Sequence, residues 1–205
     1  MRRLPALLGV VLAAALLSAC GGGTTGSSSS PSVPATTSAP PTSPAPSPTP
    51  SPTPTLPAGF TCANASGGAD HASDWSPAGP TVTAVRVAGH SGFDRFVLQF
   101  DGTVPSYTVK RQSTPTFTLD PKGSKVTLRG TRGVLITVKP ENWTAYSGPT
   151  HFAPAFAFLR EAQLVQNFEG TMQWGLGILG NPCLQVSTLK NPPRLVVDVA
   201  AKPAS

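Results

Sequence analysis

From residue 81 onward the chain consists of short segments in which apolar and polar residues alternate. In the clearest of them, residues 95–100, Phe96, Leu98 and Phe100 share one face of an extended chain. A period of two is typical of a strand with one buried face. Because turn-forming residues separate the segments, the pattern predicts an all-β fold, an antiparallel β-sandwich or small barrel of roughly eight to ten short strands.

The predicted strands follow from these alternating segments. Two lie within residues 82–100, and the others occupy residues 107–110, 116–119, 125–128, 134–138, 163–168, 171–178, 184–189 and 195–199. A helical turn is predicted only at residues 153–161, where Pro154 fits a first-turn position. Irregular coil is an equally good prediction for that segment.

Residues 194–199 repeat the order of residue types found in residues 95–100: arginine, apolar, valine, apolar, polar, apolar. This echo predicts two related strands that face one core, as the halves of a two-part sandwich. Chance alternation in a β-rich chain explains six positions about as well.

Two glycines share one face of the strand predicted at residues 171–178. They are Gly175 and Gly177, and the apolar side chains of Met172, Trp174 and Leu176 lie on the opposite face. Glycine in a strand allows an aromatic ring, another backbone or a ligand to come close. We expect the domain's own atoms to cover these two positions.

The N-terminus resembles an export signal. Arg2 and Arg3 precede an apolar run at residues 4–17, and the run ends in Leu-Ser-Ala-Cys at Cys20. The run is too short for an ordinary membrane-spanning helix. It predicts a lipoprotein signal peptide over residues 1–19 and a lipid anchor on Cys20 at the outer face of a bacterial membrane.

Residues 21–58 contain eleven prolines but no charged or aromatic residue. Such a segment cannot bury enough apolar area to offset its conformational entropy, so we expect it to be unfolded. Together with Cys20 it predicts a tether over residues 20–58, which fully extended would reach about 120 Å. The β domain is predicted over residues 59–205.

From residue 59 onward there are thirteen Lys and Arg against nine Asp and Glu, a net charge of +4. A mild positive charge is compatible with anionic wall polymers or with lipid headgroups and does not choose between them. The chain has no basic run with interleaved aromatic residues, so nucleic acid is not an expected partner.

Cys62 and Cys183 remain once Cys20 is lipidated, in a chain that is exported to an oxidising compartment. We expect a disulfide between them. The alternative is a pair of free, buried thiols.

No catalytic or metal site is predicted, and no cofactor. His71, His90 and His151 lack metal-ligand spacing with one another or with a cysteine. Ser187 and Lys190 form S-x-x-K, but at a strand end, whereas that motif acts from a helical turn that places the lysine below the serine. Hydrolysis is therefore the least favoured function.

His90, Arg95 and Arg194 are the first candidate ligand-binding residues. Both arginines are predicted on outward strand faces, where they and His90 would offer a basic surface to a carboxylate or phosphate of a wall polymer. The alternative, which we favour, is that ion pairs fix the strand register, Arg95 with Asp94 and Arg194 with Asp198 or Glu169.

Trp143 and Tyr146 are the second candidates, in a polar loop at residues 141–152 that also contains His151 and Phe152. Exposed aromatic rings in loops stack on sugar faces in many glycan-binding modules. The alternative is that these rings fold back and cap an open end of the sandwich.

Three segments together carry a family resemblance: VRVAGHSGFDRFVLQFDG, NFEGTMQWGLGI and NPPRLVVDVA, in this order. They resemble the AMIN-like domain of actinobacterial lipoproteins and, more distantly, the AMIN domains that accompany cell-wall amidases and secretins. The resemblance covers residues 81–200. It implies a β-sandwich without catalytic machinery that attaches to the envelope through peptidoglycan or wall proteins, although no amidase or secretin domain accompanies it here.

These observations predict a membrane-anchored binding or assembly module of the cell envelope. The first alternative is a β-shell that carries a lipid or another apolar molecule, and the second is a hydrolase.

Overall fold

The computed structural model of the chain describes residues 55–69, 79–139 and 146–202, all of which belong to the unit Pro50–Ser205. No part of these ranges forms a long apolar helix of the kind that crosses a bilayer. They contain twelve β-strands: β1 Ala65–Gly67, β2 Val82–His90, β3 Phe93–Phe100, β4 Ser106–Gln112, β5 Thr116–Leu119, β6 Ser124–Thr127, β7 Arg132–Lys139, β8 His151–Phe152, β9 Leu159–Phe168, β10 Thr171–Ile178, β11 Asn181–Lys190 and β12 Pro193–Lys202.

The strands form three sheets. A six-stranded sheet has the order β1-β4-β7-β10-β9-β8, a four-stranded sheet has the order β11-β12-β3-β2, and β5 and β6 form a separate hairpin. Neighbouring strands are antiparallel in all three. The predicted all-β antiparallel sandwich is confirmed, and the sheets do not close into a barrel.

The two segments with the repeated pattern are neighbours in the four-stranded sheet. In the β3–β12 pair, Phe96 lies opposite Val197 and Leu98 lies opposite Leu195, and all four side chains are buried. The prediction that both strands face one core is confirmed. The prediction of two separate halves of a sandwich is wrong, because similar alternation also suits strands that pair with each other.

The two glycines of β10 are covered by the β5–β6 hairpin and the chain that follows it. A Cβ atom on Gly175 would lie 2.8 Å from the Phe117 ring, and one on Gly177 would lie 2.1 Å from the Arg129 carbonyl oxygen. Phe117, Leu128 and Val165 form a second, smaller cluster of buried apolar residues on this face. The expectation that the domain's own atoms cover both glycines is confirmed.

An N-terminal segment, residues 57–62, is attached to the four-stranded sheet. Thr61 exchanges two backbone hydrogen bonds with Leu184 of β11, at 2.9 and 2.7 Å. Cys62 and Cys183 form the expected disulfide. Arg111 of β4 strengthens this attachment, because its guanidinium donates to the carbonyl oxygens of Cys62 and Pro182 and to the Asn181 side chain. The two sheets and the N-terminal segment are therefore linked on this side.

On the other side of the sandwich, Asp94 of β3 links the two sheets. Its Oδ2 accepts hydrogen bonds from the backbone N–H groups of Phe158 at 2.6 Å and Leu159 at 2.7 Å. Residues 153–158, between β8 and β9, are irregular, so the predicted helical turn is absent and coil is the better of the two predictions. Asp94 lies within β3 and is only 1% exposed.

Candidate functional site

Arg95 forms an ion pair with Asp198, which lies directly opposite it on β12. The guanidinium Nε is 2.6 Å from Oδ1 and Nη2 is 2.8 Å from Oδ2, a bidentate arrangement. The hydrogen bond to Asp198 raises the pKa of Arg95 above its ordinary value, against the lowering effect of partial burial. The alternative in which an ion pair of Arg95 fixes the strand register is supported. The prediction that Asp94 is its partner is wrong.

Arg194 lies on the same outward face as Arg95 but does not join it. It pairs in register with Gln99, four residues from Arg95, which places the two arginines about 13 Å apart along the strands. Its Nε donates to the carbonyl oxygen of Pro192 at 3.4 Å. Among the described residues it forms neither of the ion pairs expected with Asp198 or Glu169.

His90 stacks on Phe93, with ring centroids 4.7 Å apart and an interplanar angle of 14°. The Arg95 guanidinium carbon lies 5.5 Å from the same ring centroid, and the Phe60 ring is 5.8 Å from it. Phe93 therefore connects His90 to Arg95, and no sequence argument had singled it out. The sequence signal that could have identified Phe93 is the alternation of β3, which puts Phe93 and Arg95 on one face.

Tyr146 is half-buried and packs against the core. Its ring lies edge-on to Trp174, with centroids 6.4 Å apart, and Phe152 contacts the same indole at 5.9 Å. The Tyr146 hydroxyl donates to the carbonyl oxygen of Pro149 at 2.6 Å, and burial raises the pKa of the phenol. This geometry is that of rings that cap the sandwich. Trp143, the other candidate in this loop, lies outside the described residues, as do Cys20 and His71.

A polar cluster that the sequence did not reveal surrounds Glu161 on β9. One carboxylate oxygen lies 2.7 Å from Nε2 of His151, and the other accepts the backbone N–H of Arg129 at 2.7 Å. Burial by itself raises the pKa of Glu161. The hydrogen bonds and the charges of Arg129 and His151 outweigh it, and the net pKa lies below the ordinary 4.5.

We expect Glu161 to stabilise the fold at neutral pH and to lose this effect in acid. Because its folded pKa lies below 4.5, its contribution is present above that value and is lost as the pH falls through the folded pKa. Urea unfolding between pH 6 and pH 3 should therefore show a flatter acid decline for Glu161→Gln than for the wild type. Glu169→Gln, in the exposed β9–β10 turn, is the control and should keep the wild-type slope; equal slopes in all three proteins would contradict the prediction.

The outward face of the six-stranded sheet carries one polar side chain from each of five adjacent strands. They are paired in register across the sheet and are here called the polar row: Ser66, Thr108, Thr137, Gln173 and Gln166. The Gln173 amide donates to the Thr137 hydroxyl at 3.2 Å. Lys139 and Lys110 lie on either side of the row, and the three central members line a shallow cavity of about 310 Å³ with both lysines.

The other side chains that were candidates for catalysis or metal binding lie apart from one another. His90 lies on the four-stranded sheet, whereas His151 lies on the six-stranded sheet. Ser187 and Lys190 are three residues apart on the extended strand β11, so their side chains point to opposite faces. Within the described residues no three His, Cys, Asp or Glu side chains are grouped so that they could hold a metal ion.

The family model of the AMIN-like domain matches residues 80–201, more than half of the chain. The chain belongs to the AMIN-like domain family. No curated protein matches it. AMIN-like domains are in general non-catalytic, occur in extracytoplasmic proteins and are associated with the cell envelope.

The matched region of this AMIN-like protein begins just before β2 and so excludes β1 and the N-terminal segment. Cys183 lies within the match and Cys62 lies outside it. The disulfide therefore fastens a preceding segment to the family domain.

Proposed function

We propose that this AMIN-like protein is a lipid-anchored, non-catalytic module that binds a wall polymer, peptidoglycan in particular, or an envelope protein. Membership of the AMIN-like family is the observation that carries the proposal. Residues 1–19 would be the signal peptide, Cys20 would carry the lipid, and residues 20–58 would be the tether between the membrane and the domain.

The four-stranded sheet offers one contact surface for this binding. His90 and Arg194 are the groups we favour on its outward face, because the charge of Arg95 is already balanced by Asp198. Arg95 would then hold the Phe93–His90 stack in position. Trp143 and Tyr146 remain candidates for a sugar contact at the loop, with Tyr146 restricted by its packing against Trp174.

The packing between the two sheets gives the carrier alternative no support. Large side chains, including Trp174, Phe96 and Phe100, fill the space between the sheets and are almost completely buried. A filled interior leaves no room there for an apolar cargo.

Sedimentation with purified peptidoglycan tests the proposal. The full chain is expected to pellet with it, and a variant with both His90→Ala and Arg194→Ala should leave about threefold more protein in the supernatant. Arg132→Ala, an exposed arginine of β7, is the matched control and should behave as the wild type. In cells, Cys20→Ser should move the protein from the membrane to the soluble fraction.

A wild-type chain that stays in the supernatant at every peptidoglycan concentration contradicts wall binding. Membrane retention of the Cys20→Ser variant contradicts the lipid anchor. Arg95→Ala is unsuitable as a test of contact, because it would leave the Asp198 carboxylate, whose side chain is 7% exposed, without its partner.

A further inference from the structure

We propose that the polar row is a second binding surface and that its ligand is an anionic glycan chain. The inference rests on the proposed function for its location at the cell envelope. It concerns the opposite face of the domain, since the row lies on the six-stranded sheet whereas His90 and Arg194 lie on the four-stranded sheet.

The length and composition of the row fit an extended polyol. Five side chains in register span four strand spacings, about 19 Å, and run across the strands. All of them end in a hydroxyl or an amide, groups that both donate and accept hydrogen bonds. A sugar chain presents hydroxyl and ring oxygen atoms along its length, so such a row can bond to successive units.

The polar row is accessible, and the β5–β6 hairpin forms a raised edge beside it. The β5–β6 hairpin covers neighbouring outward positions of the same sheet, with Phe117 against Gly133 and Gly175. The row itself is left accessible, because Ser66 is exposed and the other four side chains are half-exposed. A shallow channel with one raised side results, and its central part is the cavity of about 310 Å³.

Charge selects an anionic ligand. Lys110 is two residues beyond Thr108 along β4, and Lys139 is two residues beyond Thr137 along β7, in opposite directions because the strands are antiparallel. One lysine therefore flanks each side of the row, with its Cα atom about 7 Å from the row along the strands. Among the residues that the structure describes, those that line the central cavity include no acidic side chain. Carboxylate or phosphate groups on the sugar chain would meet both cations.

Binding of a polygalacturonate oligomer, a carboxylated glycan, tests the inference, with a neutral dextran oligomer as the uncharged comparison. At low ionic strength we expect the purified full chain to bind polygalacturonate and not dextran. Lys110→Ser with Lys139→Ser should weaken the binding about tenfold. Lys190→Ser with Lys202→Ser makes the same charge change on the four-stranded sheet and should leave affinity within about twofold of the wild type. Unchanged affinity in the Lys110/Lys139 variant overturns the site.

A second pair of substitutions distinguishes a glycan from an acidic protein segment. Thr108→Val with Thr137→Val removes two hydroxyl groups and keeps side-chain shape and charge. It should weaken polygalacturonate binding several-fold and leave unaltered any binding of polyglutamate. The glycan assignment is overturned if the binding of both polymers weakens equally, or if the binding of neither polymer weakens. These side chains are exposed or half-exposed, and matching thermal unfolding curves will show that the variants are folded.

The outcomes for this surface and for the proposed function are separable. A wild-type chain that pellets with peptidoglycan but ignores polygalacturonate overturns the second surface and leaves wall binding intact. Polygalacturonate binding that depends on both lysines, with no pelleting, supports the second surface and contradicts peptidoglycan binding.

Discussion

Replacing Cys62 and Cys183 by alanine is expected to lower the free energy of unfolding by about 4 kcal/mol. The disulfide joins residues separated by 121 positions, and a cross-link that closes so long a loop removes many conformations from the unfolded chain. The folded state should change little. Thr61 keeps its two hydrogen bonds to Leu184, and β1 keeps its pairing with β4.

Urea unfolding of three proteins measures this effect: the oxidised wild type, the reduced wild type and the double alanine variant. The last two should have the same midpoint, and their m-values should exceed that of the oxidised protein, because the unfolded chain without the cross-link exposes more surface. Cys62→Ala alone is the matched variant. It breaks the same bond and leaves the buried Cys183 thiol, which behaves as a small apolar group, so its loss should equal that of the double variant. A loss under about 1 kcal/mol would show that contacts already hold the N-terminal segment close to the domain in the unfolded chain.

Strands with uninterrupted alternation could be predicted well from the sequence. The strand predicted at residues 171–178 coincides with β10, because each of its core residues faces the same side without a break. By contrast, β9 begins at Leu159, four residues before the predicted strand. The alternation of β9 is interrupted by register shifts opposite Gln173/Trp174 and opposite Gly177/Ile178 of β10. A search for a period of two therefore misses such a strand.

Two strands were missed because nothing in their own residues requires them. β1 has three residues and β8 has two, and each lies at an edge of the six-stranded sheet. Ala65–Gly67 is extended because it pairs with β4. Such strands are defined by their partners and not by local propensity.

The candidate surfaces also have some features that could be predicted from the sequence and others that could not. The outward placement of Arg95 and Arg194 follows from alternation and was predicted, but their ion pairs depend on register and were not predicted correctly. Asp198 is opposite Arg95 only because β3 and β12 are paired with one alignment out of several. The polar row depends on four such alignments at once, so its members, which are spread from residue 66 to residue 173, could not be grouped from the sequence.

Asp94→Ala is expected to lower the free energy of unfolding by about 3 kcal/mol, because it removes the acceptor of two backbone N–H groups, one buried and one partly buried. Phe158 and Leu159 both donate to the same carboxyl oxygen, Oδ2, at 2.6 and 2.7 Å. Asp94→Asn keeps one side-chain oxygen that can occupy this position. Its cost should be about 1 kcal/mol, since a neutral acceptor makes weaker hydrogen bonds than a carboxylate.

Asp101→Ala is the matched control for this pair. Its carboxylate accepts a single backbone N–H, that of Thr81, at 2.7 Å and at an exposed position, so water can replace it and the cost should stay below about 1 kcal/mol. Hydrogen exchange supplies a local readout: the amides of Phe158 and Leu159 should exchange faster in Asp94→Ala than global destabilisation explains. Equal losses for Asp94→Ala and Asp94→Asn would assign the effect to the charge of the carboxylate. If Asp94→Ala costs more than Asp94→Asn, as we expect, Asp94 acts as a hydrogen-bond acceptor that holds the start of β9 against the four-stranded sheet. Arg95 and His90 lie on the outward side of that sheet.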